Sequence, residues 1–154
     1  MLMPDSSRID RSIEIDAPVQ RVWKALTDAA EIGVWNQVKI EGRYAAGQEV
    51  WMTSVHPQYA GMRWPVRIVE LTEPRRLVWR WHPGAIEPGA DLAREPWTRV
   101  TFTLEPVAGG TRLTVSETGF DDIALERRAR AFEENAQGWT EVLGWLKTHV
   151  EQAH

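Results

Sequence analysis

From Leu125 to Val150 the apolar residues Leu125, Ala129, Phe132, Ala136, Trp139, Leu143, Leu146 and Val150 recur in steps of four and three. That spacing puts all eight on one face of an α-helix. Glu126, Arg127, Arg128, Arg130, Glu133, Glu134, Glu141 and Lys147 fall between them as the solvated face. The pattern predicts one helix from Asp122 to Val150, about 42 Å long at 1.5 Å per residue. Gly138 and Gly144 lie inside it, and each costs roughly 1 kcal/mol relative to Ala. They read as tolerated weak spots, or as places where another backbone or a bound molecule comes close. A helix with so long an apolar stripe needs a broad apolar surface to lie on, and only strands upstream can supply one. The stripe therefore reads as core.

Upstream the period shortens. Ile9, Ile13 and Ile15 suggest a first strand. Asp16-Ala17-Pro18 is a helix-start signal, with Asp16 as capping acceptor, followed by Val19, Val22, Trp23 and Leu26 at helical spacing. Asp28 with Glu31 resembles a capping box for a second short helix ending at Val34 and Trp35. From Val38 to Thr118 the alternation predicts strands Val38–Tyr44, Glu49–His56, Arg63–Leu71, Arg75–His82, Trp97–Glu105 and Thr111–Thr118, separated mostly by short Gly- and Pro-containing turns. Short connections favour an antiparallel meander. The stretch Pro83 to Pro96 is long for a hairpin and reads as a lid, a binding loop or a mobile loop. Trp64/Val66/Ile68, Leu77/Trp79/Trp81, Val100/Phe102/Leu104 and Leu113/Val115/Glu117 share one side, and Arg67, Arg80, Arg99, Thr101, Thr103, Arg112 and Thr114 the other. The expected class is α+β: a curved antiparallel sheet wrapped around a long C-terminal helix, with two short helices after the first strand.

Composition narrows the function. The 154 residues suit a single domain, 1–154, with an ordered core at about 9–150. A net charge of −4 argues against nucleic acid and anionic membrane surfaces as partners. The absence of Cys excludes disulfides, thiolate nucleophiles and Cys-type zinc sites. No signal peptide and no membrane-length apolar run is visible, so the expectation is a soluble cytoplasmic protein, monomeric or homodimeric. None of the four His has a ligand partner at i+2 or i+4, and no phosphate- or dinucleotide-binding motif occurs, so neither metal nor cofactor is expected. His149 and His154 near the helix end suit the helix dipole, and Asp121-Asp122 before the helix read as capping groups. Nine Trp is the unusual count. Clustered Trp side chains line pockets as well as filling cores.

Glu117 is the sharpest single residue. Alternation carries it onto the apolar face, where a carboxylate needs a partner or takes a raised pKa, and such groups concentrate at functional sites. The plainer alternative puts it at the sheet rim, in water or paired with an Arg. His56, Arg63 and Trp64 flank the Gly61 turn and could reach the same mouth, although for His56 a plain surface position is the favoured reading.

The order of strand, two short helices, six strands and long helix resembles the helix-grip fold of the START-like (SRPBCC) superfamily. Ala17 through Asp28 ending at Trp35, the stretch Val69–Trp79, the pair Val100–Pro106 and Gly110–Val115, Gly119-Phe120, and Gly138-Trp139 through Leu146 resemble one branch more closely. That branch comprises homologues of the C-terminal domain of the co-chaperone that activates the ninety-kilodalton heat-shock protein's ATPase. Asn36 stands where a second Trp often follows Trp35, which makes the cavity entrance more polar. The resemblance fixes fold rather than function, since the superfamily includes lipid carriers, receptors, cyclases and hydroxylase subunits.

Three functions follow as expectations. The first is a module binding a small apolar or amphipathic ligand between sheet and helix, in a cavity lined by Trp35, Trp64, Trp79, Trp81, Phe120, Phe132 and Trp139, with Glu117 near its polar end. The second is an enzyme of cyclase or dehydratase type with Glu117 as acid or base. The third, implied by the resemblance, is a chaperone-associated protein-binding module. The balance leans away from an enzyme.

Overall fold

A computed structural model of the chain describes residues 7–83 and 94–152, less the side chains of Leu125 and Glu126. Most of the Pro83–Pro96 stretch, and His154, therefore lie outside the described residues.

Strand β1, Arg8–Ile15, buries Ile9 and Ile15 and turns its charged residues outward. Helix α1, Val19–Thr27, buries Val22, Trp23, Ala25 and Leu26. Its N-cap is Pro18, with no side-chain cap bond, so Asp16 is not the expected capping acceptor. Asp16 sits two residues too early, and its backbone amide instead donates to Glu151 at 2.8 Å. Helix α2, Ala29–Trp35, is capped as the sequence predicts: the Asp28 carboxylate accepts from the Glu31 amide at 3.0 Å.

Strands β2 (Val38–Glu41), β3 (Glu49–Ser54), β4 (Arg63–Thr72), β5 (Arg76–Trp81), β6 (Thr98–Val107) and β7 (Gly110–Thr118) complete the sheet. Its order is β1-β7-β6-β5-β4-β3-β2, antiparallel at every pairing. The cross-strand row Ile68, Trp79, Val100, Glu117 and Ile9 runs over five strands of the inner face. One residue along, Arg67, Arg80 and Arg99 form a row of exposed side chains on the outer face. Period-two alternation thus decides which residues meet the helix and which meet water. The β6–β7 hairpin needs glycine at Gly110, where a Cβ would stand 2.1 Å from the Ile15 carbonyl oxygen.

After β7, Gly119 takes a left-handed φ of 106°, and Phe120–Asp122 form a 3-10 turn. Helix α3 then runs Leu125–Gln152, starting later than the predicted Asp122 because this turn comes first. Asp121 and Asp122 lie exposed in the turn. Trp139, Leu143, Leu146 and Val150 are buried against the sheet and α1 and α2, as the stripe predicts. Ala129 is exposed, contrary to the stripe, and Ala131 is buried in its place. The two lie about 200° apart around a helix, so burying one exposes the other. Asn135, on the same row as Ala131, is tied to the sheet through Glu117 and sets the roll of this half of the helix.

Candidate functional site

Glu117 is 0% exposed, on the inner face of β7. Four side chains donate to its carboxylate. Trp81 Nε1 and Thr98 Oγ1 reach Oε2 at 2.7 and 2.5 Å. Trp139 Nε1 reaches Oε1 at 2.9 Å. Asn135 Nδ2 lies 2.9 Å from both oxygens. The donors come from β5, β6 and α3, so this one acceptor ties the helix to three adjacent strands. Because Trp81 and Trp139 are held through their ring edges, their faces are fixed as well. Their ring centroids are 5.4 Å apart and stacked. Trp79 packs at 5.4 Å from Trp81 and 4.9 Å from Phe102, and Phe102 meets Trp139 edge-on at 5.6 Å. Such offset and edge-to-face pairs each add about 0.5–1.5 kcal/mol beyond burial.

This aromatic cluster borders a cavity of about 1040 Å³ between sheet and helix. The volume is at the upper end of the ~300–1,000 Å³ typical of small-molecule sites. Of the expected wall residues, Trp35, Trp64, Trp79, Trp81 and Trp139 line it. Phe120, Phe132 and Glu117 do not: Phe120 is fully buried, its ring edge-on to Phe132 at 5.4 Å. Glu117 stands behind the wall, beneath the indoles and the Asn135 amide that do line it. His56, Arg63 and Trp64 all border the cavity, as does Asn36. His56 stacks on Trp145 at 5.1 Å, and the Arg63 guanidinium lies 4.1 Å over the Trp51 ring.

Some of the lining residues also contain buried polar atoms that find no partner. Among the described residues, Trp64 Nε1, Trp79 Nε1, Tyr44 Oη and His82 Nε2 are buried without a hydrogen bond, and all four residues line the cavity. Burial pushes the Tyr44 phenol above its usual value, so it stays protonated and able to donate. A buried donor left unmatched costs about 1–3 kcal/mol, and the great majority of such groups are matched. By contrast Trp35 Nε1 donates to the Ala25 carbonyl at 2.8 Å.

Tyr44, Asn135 and Trp145 are wall residues absent from the sequence-based set. Tyr44 carried a signal: it continues the Val38, Ile40 alternation on the inner face. Asn135 precedes Trp139 by one helical turn, but the regular stripe draws the eye to Ala136 instead.

The model of the family described as activator of Hsp90 ATPase homolog 1-like protein matches residues 16–151. The chain belongs to this family. Its fold is that of the START-like superfamily, and solved structures agree. A protein of Mesorhizobium loti superposes with a TM-score of 0.76 at 22% identity, over 96% of this chain and 98% of that one. DynU16, from the dynemicin biosynthetic locus, gives 0.71 at 21% identity, over 97% of this chain and 48% of the other. The solution structure of the Aha1 dimer from Colwellia psychrerythraea gives 0.70 at 17% identity, over 94% and 96%. No curated protein matches the sequence. Among the described residues of this family member, no group of three or more His, Cys, Asp or Glu could hold a metal ion, and no helix is long and apolar enough to cross a membrane.

Proposed function

We propose that this protein is a binding module that takes a small, largely apolar molecule into the cavity between sheet and α3. The observation that carries this reading is the size of the cavity together with its wall, which includes six of the nine Trp of the chain. Glu117 supports the site as a positioning residue. It holds Trp81 and Trp139, and an acid or base role would require it to touch the ligand from a fully buried place. Nile red, a neutral dye that brightens in apolar surroundings, tests the reading. It should bind saturably near one equivalent and raise the melting temperature, because binding to the native state alone stabilises it by about 2.7 kcal/mol at a hundredfold excess over Kd. Non-saturating emission with an unchanged melting temperature would remove the basis for a binding module.

Family membership favours a second reading, docking on a chaperone. Val55 and Met62, 60% and 45% exposed, offer apolar surface at the ends of β3 and β4. Stimulation of a ninety-kilodalton heat-shock protein's ATPase by the purified chain would support it.

A further inference from the structure

We infer that the outer face of the sheet, on the side away from the cavity, docks an acidic segment of a partner protein. Neither function proposed above uses this face. Its centre is a row set by the strand register: Arg67 on β4 pairs with Arg80 on β5, and Arg80 pairs with Arg99 on β6. All three residues are exposed. Neighbouring strands are ~4.8 Å apart, so the row is about 10 Å long. Like charges directly opposite one another destabilise a sheet, and such a row costs stability unless anions answer it.

The chain answers only part of it. Arg67 meets Glu49 at 3.1 Å, and the neighbouring outer-face arginines Arg63 and Arg76 meet Glu41 at 3.7 Å and Glu70 at 3.3 Å. Among the described residues, the side chains of Arg80 and Arg99 make no ion pair and no hydrogen bond. The whole chain carries a net charge of −4, so this unanswered pair is a local feature and not a share of a general positive excess. A guanidinium presents a planar fork of donors that matches a carboxylate through two parallel bonds. Two forks side by side call for two neighbouring carboxylates, as a run of Asp or Glu supplies.

The surroundings of the pair have the composition of a protein interface. Trp51 and Trp97 are half-buried, with the Arg63 guanidinium 4.1 Å over the first ring and the Arg67 guanidinium 4.2 Å over the second. Val69, in the bulge of β4 between Ile68 and Glu70, is 42% exposed. Trp and Arg are enriched at protein interfaces and at their energetic centres. Stacking holds Arg63 and Arg67 in place, so they lose less side-chain freedom on docking. The same stacking argues against single-stranded nucleic acid as the occupant. A guanidinium already occupies a face of each indole, where a base would have to stack. The net negative charge also repels a polyphosphate that runs on beyond the row, whereas a short acidic segment ends within it.

Dye-labelled octaglutamate and octathymidylate test the inference on the full chain. In fluorescence anisotropy at low ionic strength, octaglutamate should bind saturably and more tightly than octathymidylate. Arg80→Ala combined with Arg99→Ala should weaken octaglutamate by about tenfold or more. The unfolding midpoint of this variant should be unchanged or raised, because a like-charge contact is removed. Arg76→Ala combined with Arg112→Ala is the control. It takes the same charge from the same face, but from arginines that already meet carboxylates of the chain, and it should weaken binding much less. No binding of octaglutamate, tighter binding of octathymidylate, or equal losses in the two double variants would overturn the inference. Cavity binding plays no part in the test, so its outcome is independent of the Nile red result.

Discussion

Two regions of the inner face treat the same chemistry in opposite ways. Around Glu117 the indole N–H groups of Trp81 and Trp139 end on one carboxylate, together with a hydroxyl and an amide. In the residues that line the cavity the indole N–H groups of Trp64 and Trp79 and the phenol of Tyr44 are buried and end on nothing among the described residues. Trp79 and Trp81 are two residues apart on one strand, with rings 5.4 Å from each other. One has its N–H matched and the other does not. Glu117 lies in the cross-strand row of Trp79, beyond Val100, yet its carboxylate accepts from Trp81 and from Thr98, the residue paired with Trp81. Matched donors tie the helix to the sheet, whereas a buried donor left unmatched costs stability.

Breaking the matched side should produce the largest effect. Glu117→Ala removes the one acceptor of four side chains at a fully buried position. Leaving several buried donors unsatisfied should cost on the order of 4 kcal/mol or more. Urea unfolding followed by Trp emission would show it as a lower midpoint. A loss below about 1 kcal/mol would mean that Glu117 does not tie α3 to the sheet.

The far end of α3 offers a smaller test, because its anchoring carboxylate reaches water. His149 lies 2.9 Å from Glu31 on α2, and Arg21 pairs with the same carboxylate at 2.5 Å. Burial raises the Glu31 pKa, but the hydrogen bonds and charges of His149 and Arg21 outweigh it and hold the carboxyl below its ordinary 4.5. The unfolded chain therefore binds more protons than the native state in that window. The stabilisation is full above pH 4.5 and fades as the pH falls through the folded value. Glu31→Gln should unfold more easily than the parent at pH 7, and the two should converge as the medium is acidified below that point. A constant difference down to pH 3 would contradict the linkage.

How much of this was legible depends on how far apart the partners lie in sequence. Alternation along β7 was enough to turn Glu117 inward, and alternation along β4 and β5 placed Trp64, Trp79 and Trp81 on the same side. Nothing local says that Trp81, Thr98, Asn135 and Trp139 converge on that carboxylate, because convergence depends on the registers of three strands and the roll of a helix. Helical spacing gave α3 its buried Trp139, Leu143, Leu146 and Val150 but missed the roll of its first half, where Asn135 replaces Ala136 as the residue facing Glu117. The expected Asp16 cap failed for a simpler reason: Asp16 and Pro18 both mark helix starts, and only one position can be the N-cap. Phe120 and Phe132 were placed on the right face but fill the core beside each other instead of lining the space.

The smallest expected effect sharpens the comparison at a single residue. Gly138 lies next to Trp139 on α3 and lines the cavity, and a Cβ added there would meet nothing within 4 Å. In a helix interior Gly costs up to about 1 kcal/mol relative to Ala. If the glycine were only a weak spot, Gly138→Ala would raise stability by up to that amount and change nothing else. If the open space beside it is part of the ligand's volume, the same methyl should intrude on the bound molecule. The expected outcome is therefore split: a modest rise in the unfolding midpoint of the free protein, with Nile red affinity reduced severalfold. Gly144→Ala is the control, since a Cβ there also meets nothing within 4 Å but the residue does not line the cavity. It should stabilise to a similar extent and leave affinity unchanged. Loss of affinity in both variants would show that helix rigidity, not occupied volume, governs binding, and the space next to Trp139 would then lose its place in the site.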